Sequence, residues 1–353
     1  MALNGQEYDK QRGNMTQTTI SLVLGSGGAR GYAHIGAIEE LCAQGFDIRS
    51  VSGCSMGALI GGIYAAGKLD AYRDWAKALQ RFDVLRLLDW TFRGGLIKGD
   101  RIINKLRDLI GDVNIEDLPI SFTAVAVDLM AQREVWFSRG SLFDAVRASI
   151  AIPALLRPHH YQGRTLVDGA LLNPVPITPT LRDLTDCTIA IDVNAQAEPH
   201  SGDGSVEANP DKESSDATFG SLTSPGTAGA TPMLDAPQDQ ALATGETTVF
   251  GSYRQKIGEF LESFMSKREK ETATEADPGI MELFARSLDV VQETVTRFKL
   301  AAQPPDLVIP IPRNACAFYE FHRAEEMIEL GRLRTREALK DFNPPHHADG
   351  SAA

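Results

Sequence analysis

The first 67 residues alternate twice between an apolar strand and a helix, and each strand runs into a glycine-rich turn. The segment 20–24 reads Ile-Ser-Leu-Val-Leu and stops at the turn 25–28, while a second strand at 48–54 leads directly into a helix at 56–66. Strand, helix, strand and helix at this spacing are typical of a parallel sheet covered by helices. The pattern therefore predicts the α/β fold class.

Further helices and strands are expected along the rest of the chain. Periodicity of apolar residues predicts further helices over 29–44, 70–88, 100–109 and 321–339. Short apolar runs predict strands over 120–127, 134–137, 187–193 and 306–311. The segment 152–168 is short and interrupted by proline, so we expect it to be a loop.

The composition changes between the last two predicted strands. Residues 195–247 hold nine acidic residues, one lysine and five prolines. Such a segment buries too little apolar surface to offset the entropy lost on ordering. We therefore expect one main domain formed by 18–194 and 305–340, a disordered acidic insertion at 195–250, a helical addition at 251–300 and flexible ends at 1–17 and 341–353.

Two amphipathic segments follow the acidic stretch. Tyr253–Lys270 places Ile257, Phe260, Leu261, Phe264 and Met265 on one face, with Lys256, Lys267, Arg268 and Lys270 elsewhere. Its interpretation is a helix packed on the domain, or else a lid or a helix lying on a membrane surface. Met281–Phe298 has a similar pattern over a longer stretch, and we expect plain core packing there.

Charge and cysteine content exclude several classes of protein. A net charge of −12 argues against a nucleic-acid partner and against general attraction to anionic lipid. The four cysteines are far apart and form no CxxC pair, so neither a disulfide framework nor a zinc site is expected. The polar N-terminus and the lack of an apolar run of transmembrane length favour the cytoplasm.

The first glycine-rich stretch, 25–31, lies where a strand meets a helix. Its glycines let backbone N–H groups approach an oxyanion or a phosphate, and the helix dipole adds to the attraction. A dinucleotide fingerprint fits poorly, because its third glycine would fall on Arg30. The Arg30 side chain could bind a substrate phosphate or carboxylate, or pair with a carboxylate of the protein. His34, one turn into the helix, is interpreted as a packing or loop-bracing residue.

The second stretch, Gly53-Cys54-Ser55-Met56-Gly57, has the G-x-S-x-G pattern between a strand and a helix. In that context the sharp turn exposes the Ser55 hydroxyl as a nucleophile. A serine needs a base, and Asp168, in the step Asp168-Gly169-Ala170, is the candidate.

The histidines offer no convincing alternative base. Those that follow Asp168 lie in the acidic stretch, in a charged helical pattern or in the Pro-rich tail: His200, His322, His346 and His347. His159 and His160 precede Asp168 and are expected to shape or line the pocket. Direct proton transfer to a carboxylate is therefore the more economical scheme.

Taken together, the three motifs resemble the patatin-like phospholipase family, of the bacterial cytoplasmic type. They occur in the family order, and the resemblance covers about 18–194 and 305–340. One departure is Ser26, where the family usually has glycine. The resemblance implies a three-layer α/β/α fold with a mostly parallel central sheet. It also implies catalysis by Ser55 and Asp168, and an oxyanion hole at Gly27, Gly28, Ala29 and Arg30.

The expected activity is hydrolysis of lipid acyl esters, of the phospholipase A or lysophospholipase kind, through an acyl-enzyme and without metal or cofactor. The expected partners are a phospholipid or other fatty acyl ester, with peripheral contact at the inner membrane surface. Two alternatives stay open. One is an acyl-thioester or small-ester hydrolase on the same dyad, and the other is a non-catalytic module that binds lipid or a partner.

Overall fold

The computed structural model describes residues 17–81, 83–84, 97–198 and 280–345. Its strands are β1 (Thr19–Leu24), β2 (Asp47–Cys54), β3 (Ser121–Asp128), β4 (Arg133–Phe137), β5 (His159–Tyr161), β6 (Arg164–Asp168), β7 (Cys187–Ala195) and β8 (Leu307–Pro312). Its helices are α1 (Ala33–Ala43), α2 (Met56–Ala65), α3 (Leu69–Ala78), α4 (Asp100–Ile110), α5 (Leu142–Ser149), α6 (Ile280–Ala302) and α7 (Ala324–Leu339).

All eight strands belong to one mixed sheet. The order is β5-β6-β3-β2-β1-β7-β8, and β4 also pairs with β3. Strands β3, β2, β1, β7 and β8 run parallel, whereas β4 and β6 pair antiparallel with β3. The central strands are apolar almost throughout, as expected for a sheet covered on both faces. The predicted α/β class, with a mostly parallel sheet flanked by helices, is confirmed.

Strand β3 brings two distant parts of the chain together. Its residues 121–125 pair with β2, so that Cys54 lies opposite Val125, and its residues 126–128 pair with β6, so that Asp168 lies opposite Ala126. Strand β4 pairs with residues 124–128. Because a strand has only two edges, β2 and β6 must share the edge that β4 leaves open. Their carboxyl ends therefore meet end to end.

Helices α1 and α7 pack against each other with their backbones in close contact. A Cβ added to Gly36 of α1 would lie 1.8 Å from the Ile328 carbonyl oxygen of α7. A Cβ added to Gly331 of α7 would lie 2.0 Å from the Ala33 carbonyl oxygen of α1. Both glycines are therefore required by the close approach of the helices.

The structure differs from the prediction in four places. The helix expected over 70–88 ends at Ala78, because the backbone of Leu79 is extended. The loop expected over 152–168 is wrong, because its second half forms β5 and β6 around a turn in which Gln162 and Gly163 have positive φ. The helix expected over 29–44 starts as a 3-10 turn, Gly28–Tyr32, before α1. The core packing expected for 281–298 is also wrong in part, because α6 exposes Leu283, Val290, Val291 and Phe298.

Other predictions lie outside the described residues. These are the amphipathic segment Tyr253–Lys270, most of the acidic insertion, the N-terminal residues up to 16 and the tail from 346. Residues 280–345 belong to the same compact unit as 17–198. Within the described ranges, no helix combines the length and the apolar character needed to cross a membrane.

Candidate active site

Ser55 occupies the sharp turn between β2 and α2. Its backbone has φ +54° and ψ −121°, a region in which a residue with a side chain is strained. The turn also needs glycine on both sides of the serine. A Cβ on Gly53 would lie 2.4 Å from the Gly57 carbonyl oxygen, and a Cβ on Gly57 would lie 2.1 Å from the Leu24 carbonyl oxygen. The G-x-S-x-G spacing thus has a steric cause.

A buried serine at the end of α5 holds this turn in place. The Ser55 N–H donates to Ser149 Oγ at 2.8 Å, and the Ser149 hydroxyl donates to the Val125 carbonyl oxygen at 2.6 Å. Ser149 is fully buried, so these bonds are shielded from water. Sequence reasoning missed this residue. Its signal, a small polar residue at the end of an apolar helix, is too common to single it out.

The Ser55 hydroxyl donates to Asp168 Oδ2 at 2.6 Å. The other carboxylate oxygen, Oδ1, accepts a bond from the Ala170 N–H at 2.9 Å. Both side chains are buried, and burial raises the pKa of Asp168 to about 6, against the opposing effect of these hydrogen bonds. Above that pH the carboxylate is ionised and can accept the serine proton.

The His34 side chain holds the glycine-rich turn through a hydrogen bond to its backbone. Its Nε2 lies 2.8 Å from the Gly25 carbonyl oxygen, and the ring is fully buried. Burial lowers the pKa of His34 to about 4, so the ring is neutral at physiological pH. Because a carbonyl oxygen only accepts, the proton of the neutral ring is on Nε2. This geometry agrees with the loop-bracing interpretation.

The other described histidines have partners away from the dyad. His159 lies 3.5 Å from the Asp144 carboxylate and stacks on Tyr161. His322 lies 3.2 Å from Arg81 Nε. Among the described residues, no histidine bonds to either member of the dyad.

The glycine-rich turn lies beside the turn that carries Ser55. A Cβ on Gly31 would lie 2.4 Å from the Met56 side chain, one residue beyond Ser55. Gly28 has φ +55°, which glycine adopts without strain. The Ala29 N–H donates to the Phe318 carbonyl oxygen at 2.8 Å and is therefore already occupied.

The backbone N–H groups of this turn that make no hydrogen bond are the candidates to bind an oxyanion. Within the described part of the chain, the amides of Gly27 and Gly28 make no hydrogen bond. A Cβ on Gly27 would lie 2.3 Å from the Val193 side chain. Of the four expected oxyanion residues, Gly27 and Gly28 are thus the better candidates.

Within the described ranges, the Arg30 side chain does not pair with a carboxylate, which was one of its two expected partners. Its guanidinium is buried and donates to the carbonyl oxygens of Val193, Arg313 and Cys316 at 3.1–3.3 Å and to Asn194 Oδ1 at 2.5 Å. These bonds tie the turn to the end of β7 and to the loop after β8. The side chain is therefore committed to the fold, and only its amide stays a candidate for the oxyanion hole.

Comparison with known proteins agrees with this geometry. Residues 22–181 match the family model described as patatin-like phospholipase. An uncharacterized NTE family protein of Mycobacterium tuberculosis is 40% identical over 331 residues, covering 92% of each chain. The neuropathy target esterase sws of Drosophila melanogaster is 34% identical over 190 residues, covering 52% of this chain and 13% of that protein.

A search of solved structures gives VipD from Legionella pneumophila, with a TM-score of 0.41 and 12% identity, covering 92% of this chain and 67% of that one. The nearly full-length mycobacterial relative decides the assignment. The chain belongs to the NTE family, and its residues 22–181 form a patatin-like phospholipase family domain.

Proposed function

We propose that the chain is a lipid acyl hydrolase in which Ser55 is the nucleophile and Asp168 is the base. Family membership supports a hydrolase of lipid esters in general terms. The observation that carries the finer proposal is the 2.6 Å bond from the strained Ser55 to a buried carboxylate. A structural serine needs neither the strain nor a partner that is costly to bury.

The proposed reaction has two steps. Ser55 Oγ forms a bond to the acyl carbon while Asp168 takes the hydroxyl proton. The C–O bond to the alcohol then breaks, and the alcohol leaves with that proton. Water, deprotonated by Asp168, attacks the acyl carbon. The bond from that carbon to Ser55 Oγ breaks, Asp168 returns the proton to Oγ, and the fatty acid leaves. The amides of Gly27 and Gly28 stabilise the oxyanion of both tetrahedral intermediates, which is worth about 3 kcal/mol per donor.

A fluorophosphonate probe tests this proposal directly. We expect stoichiometric labelling of Ser55, located by peptide mass spectrometry, at a rate that rises as the pH passes through about 6, where Asp168 ionises. Absence of labelling in the folded protein would favour a non-catalytic binding module. A panel of phospholipids, short esters and acyl-thioesters then identifies the substrate class, and a preference for thioesters would replace the lipid-ester assignment.

Peripheral contact with a lipid surface is proposed from the position of α6. Its Gln292 lies against Ser26 of the glycine-rich turn, with Ser26 Oγ 3.3 Å from Gln292 Oε1, and its Lys299 pairs with Glu134 of β4 at 2.8 Å. The helix also packs on the 3-10 turn Gly169–Leu171 that follows the catalytic aspartate. It therefore lies beside the dyad.

Helix α6 contacts the domain through both apolar and polar side chains, and Leu300 packs against a small core cluster. Polar side chains on one face, Gln292, Thr296 and Lys299, are turned to the domain, and the Thr296 hydroxyl is buried without a hydrogen bond. The apolar side chains Leu283, Val290, Val291 and Phe298 are exposed. An exposed apolar stripe next to the dyad suits contact with the acyl region of a lipid surface.

Replacing Phe298 and Val291 with serine is expected to weaken binding to phosphatidylcholine–phosphatidylglycerol vesicles by about tenfold or more, because two apolar side chains lose their lipid contact. Co-sedimentation measures this. Hydrolysis of a short soluble ester should not change. The matched control is Leu184→Ser, since Leu184 is fully exposed and precedes β7 at the opposite end of the sheet. An equal loss of vesicle binding in both variants would show that α6 is not the contact surface.

A further inference from the structure

The residue before the nucleophile also contacts the catalytic aspartate. Cys54 Sγ lies 3.7 Å from Asp168 Oδ1, and the cysteine is fully buried. This contact follows from the sheet, because β2 and β6 end against each other on one edge of β3. A Cβ on Gly169 would lie 2.9 Å from the sulfur, so the thiol fills the space where the two strands meet.

The thiol is the donor in this contact. Burial, followed by the negative charge of Asp168, raises the pKa of Cys54 well above its usual value, so the sulfur keeps its proton. A carboxylate oxygen accepts, and a thiol is a weak donor. Among the residues that the structure describes, Oδ1 therefore receives two donors that stay in place, Cys54 S–H and Ala170 N–H, whereas Oδ2 receives only the hydroxyl of Ser55.

We propose that Cys54 is a positioning residue for hydrolysis: its thiol holds Oδ1 of Asp168, stabilises the charged form of the carboxylate and leaves Oδ2 facing Ser55. The inference rests on the proposed function, in which Asp168 must be ionised to act. It assigns the second position of the G-x-S-x-G motif a role in the reaction, carried out through the carboxylate.

Other charged groups on the surrounding elements do not take over this role. Glu134 of β4 acts on Cys54 through its charge and is paired with Lys299 of α6. Asp128 at the end of β3 accepts two backbone N–H bonds in the turn that follows it. Arg147 of α5 donates to two backbone carbonyl oxygens. The donors that reach Asp168 itself are Ser55, Ala170 and Cys54.

Cys54→Ala and Cys54→Val test the proposal in the full chain. Loss of a donor to the charged form raises the pKa of Asp168, so the acid limb of kcat for a short ester should move to higher pH by about half a unit or more. KM should stay within about threefold of wild type, because the proposed role of Cys54 is carried out through Asp168 and not through the substrate. Cys54→Ser, which keeps a hydroxyl donor, should recover much of the shift.

The matched control is Cys187→Ala, which removes another buried free cysteine of the same sheet, from β7. If Cys54 only fills space, Cys54→Ala and Cys187→Ala should both lower the stability of the protein, and neither should move the acid limb of kcat. An unmoved limb in both Cys54→Ala and Cys54→Val would overturn the proposal.

A second readout does not need turnover. The raised pKa of Asp168 makes the folded protein lose stability as the pH rises from about 4 towards 6, because the unfolded chain ionises first. Cys54→Ala should increase the loss between pH 4 and pH 8 in denaturant titrations, while Cys187→Ala should not. If wild type hydrolyses no ester, the proposed function fails, yet this comparison still decides whether Cys54 stabilises the carboxylate.

Discussion

Ser55→Ala and Asp168→Asn are each expected to lower kcat for ester hydrolysis by about a thousandfold or more, because either change removes half of a unit that works together. The double variant should be no slower than the slower single variant. Steady-state kinetics on a short soluble ester measure all three. Substantial activity in Asp168→Asn would mean that another residue is the base and that the proposed mechanism is wrong.

The same variants carry their own control for folding. Asp168→Asn removes a carboxylate that burial makes costly to ionise, so it should be more stable than wild type at pH 8. The gain should largely disappear at pH 4, where Asp168 is protonated in the folded protein and the unfolded chain is only near the midpoint of its own ionisation. An inactive variant that is more stable at pH 8 separates loss of chemistry from loss of fold.

Gly36→Ala is expected to destabilise the protein by about 3 kcal/mol or more, because the added Cβ would meet the Ile328 carbonyl oxygen of α7 at 1.8 Å. Helix propensity alone makes the opposite prediction, a gain of about 1 kcal/mol for alanine over glycine inside a helix. Chemical denaturation with circular dichroism gives the sign. A stabilised Gly36→Ala would show that α1 and α7 can separate at little cost.

Two further variants test whether the close contact between α1 and α7 causes this loss of stability. Gly331→Ala should reproduce the loss, since its Cβ would meet the Ala33 carbonyl oxygen from the other side of the same contact. Ala43→Gly, at the exposed end of α1, changes propensity without any contact and should cost no more than about 1 kcal/mol. The difference in free energy of unfolding between the two glycine variants and Ala43→Gly measures the effect of the close contact between α1 and α7.

Comparison of the expected and observed elements shows where local patterns succeed. The apolar runs that became β1 and β7 were predicted correctly, because central strands covered on both faces are largely apolar. The strand β2 was also predicted, from its place between two helices. The strands β5 and β6 were missed, since a short strand such as His159–Tyr161 is polar and only partly buried. It owes its conformation to pairing with β6, which no local pattern records.

The burial of α6 shows a second kind of limit. Its apolar period predicted packing, but the period says only that one face is apolar and not which way that face points. The direction is decided by the polar side chains that reach Ser26 and Glu134.

By itself, the sequence determined the α/β class, the two glycine-rich turns and the serine and aspartate proposed as the dyad. These features depend on steric demands that a few neighbouring residues report, such as the glycines on both sides of Ser55. The tertiary structure alone decided that Ser149 holds the Ser55 amide, that Arg30 binds backbone carbonyls and that Cys54 reaches Asp168. Those contacts join segments 94 to 286 residues apart. The contact of Cys54 with Asp168 exists because β3 pairs with β2 and β6 on one edge, and the Arg30 bonds exist because β1, β7 and β8 are neighbours; both are properties of the whole sheet.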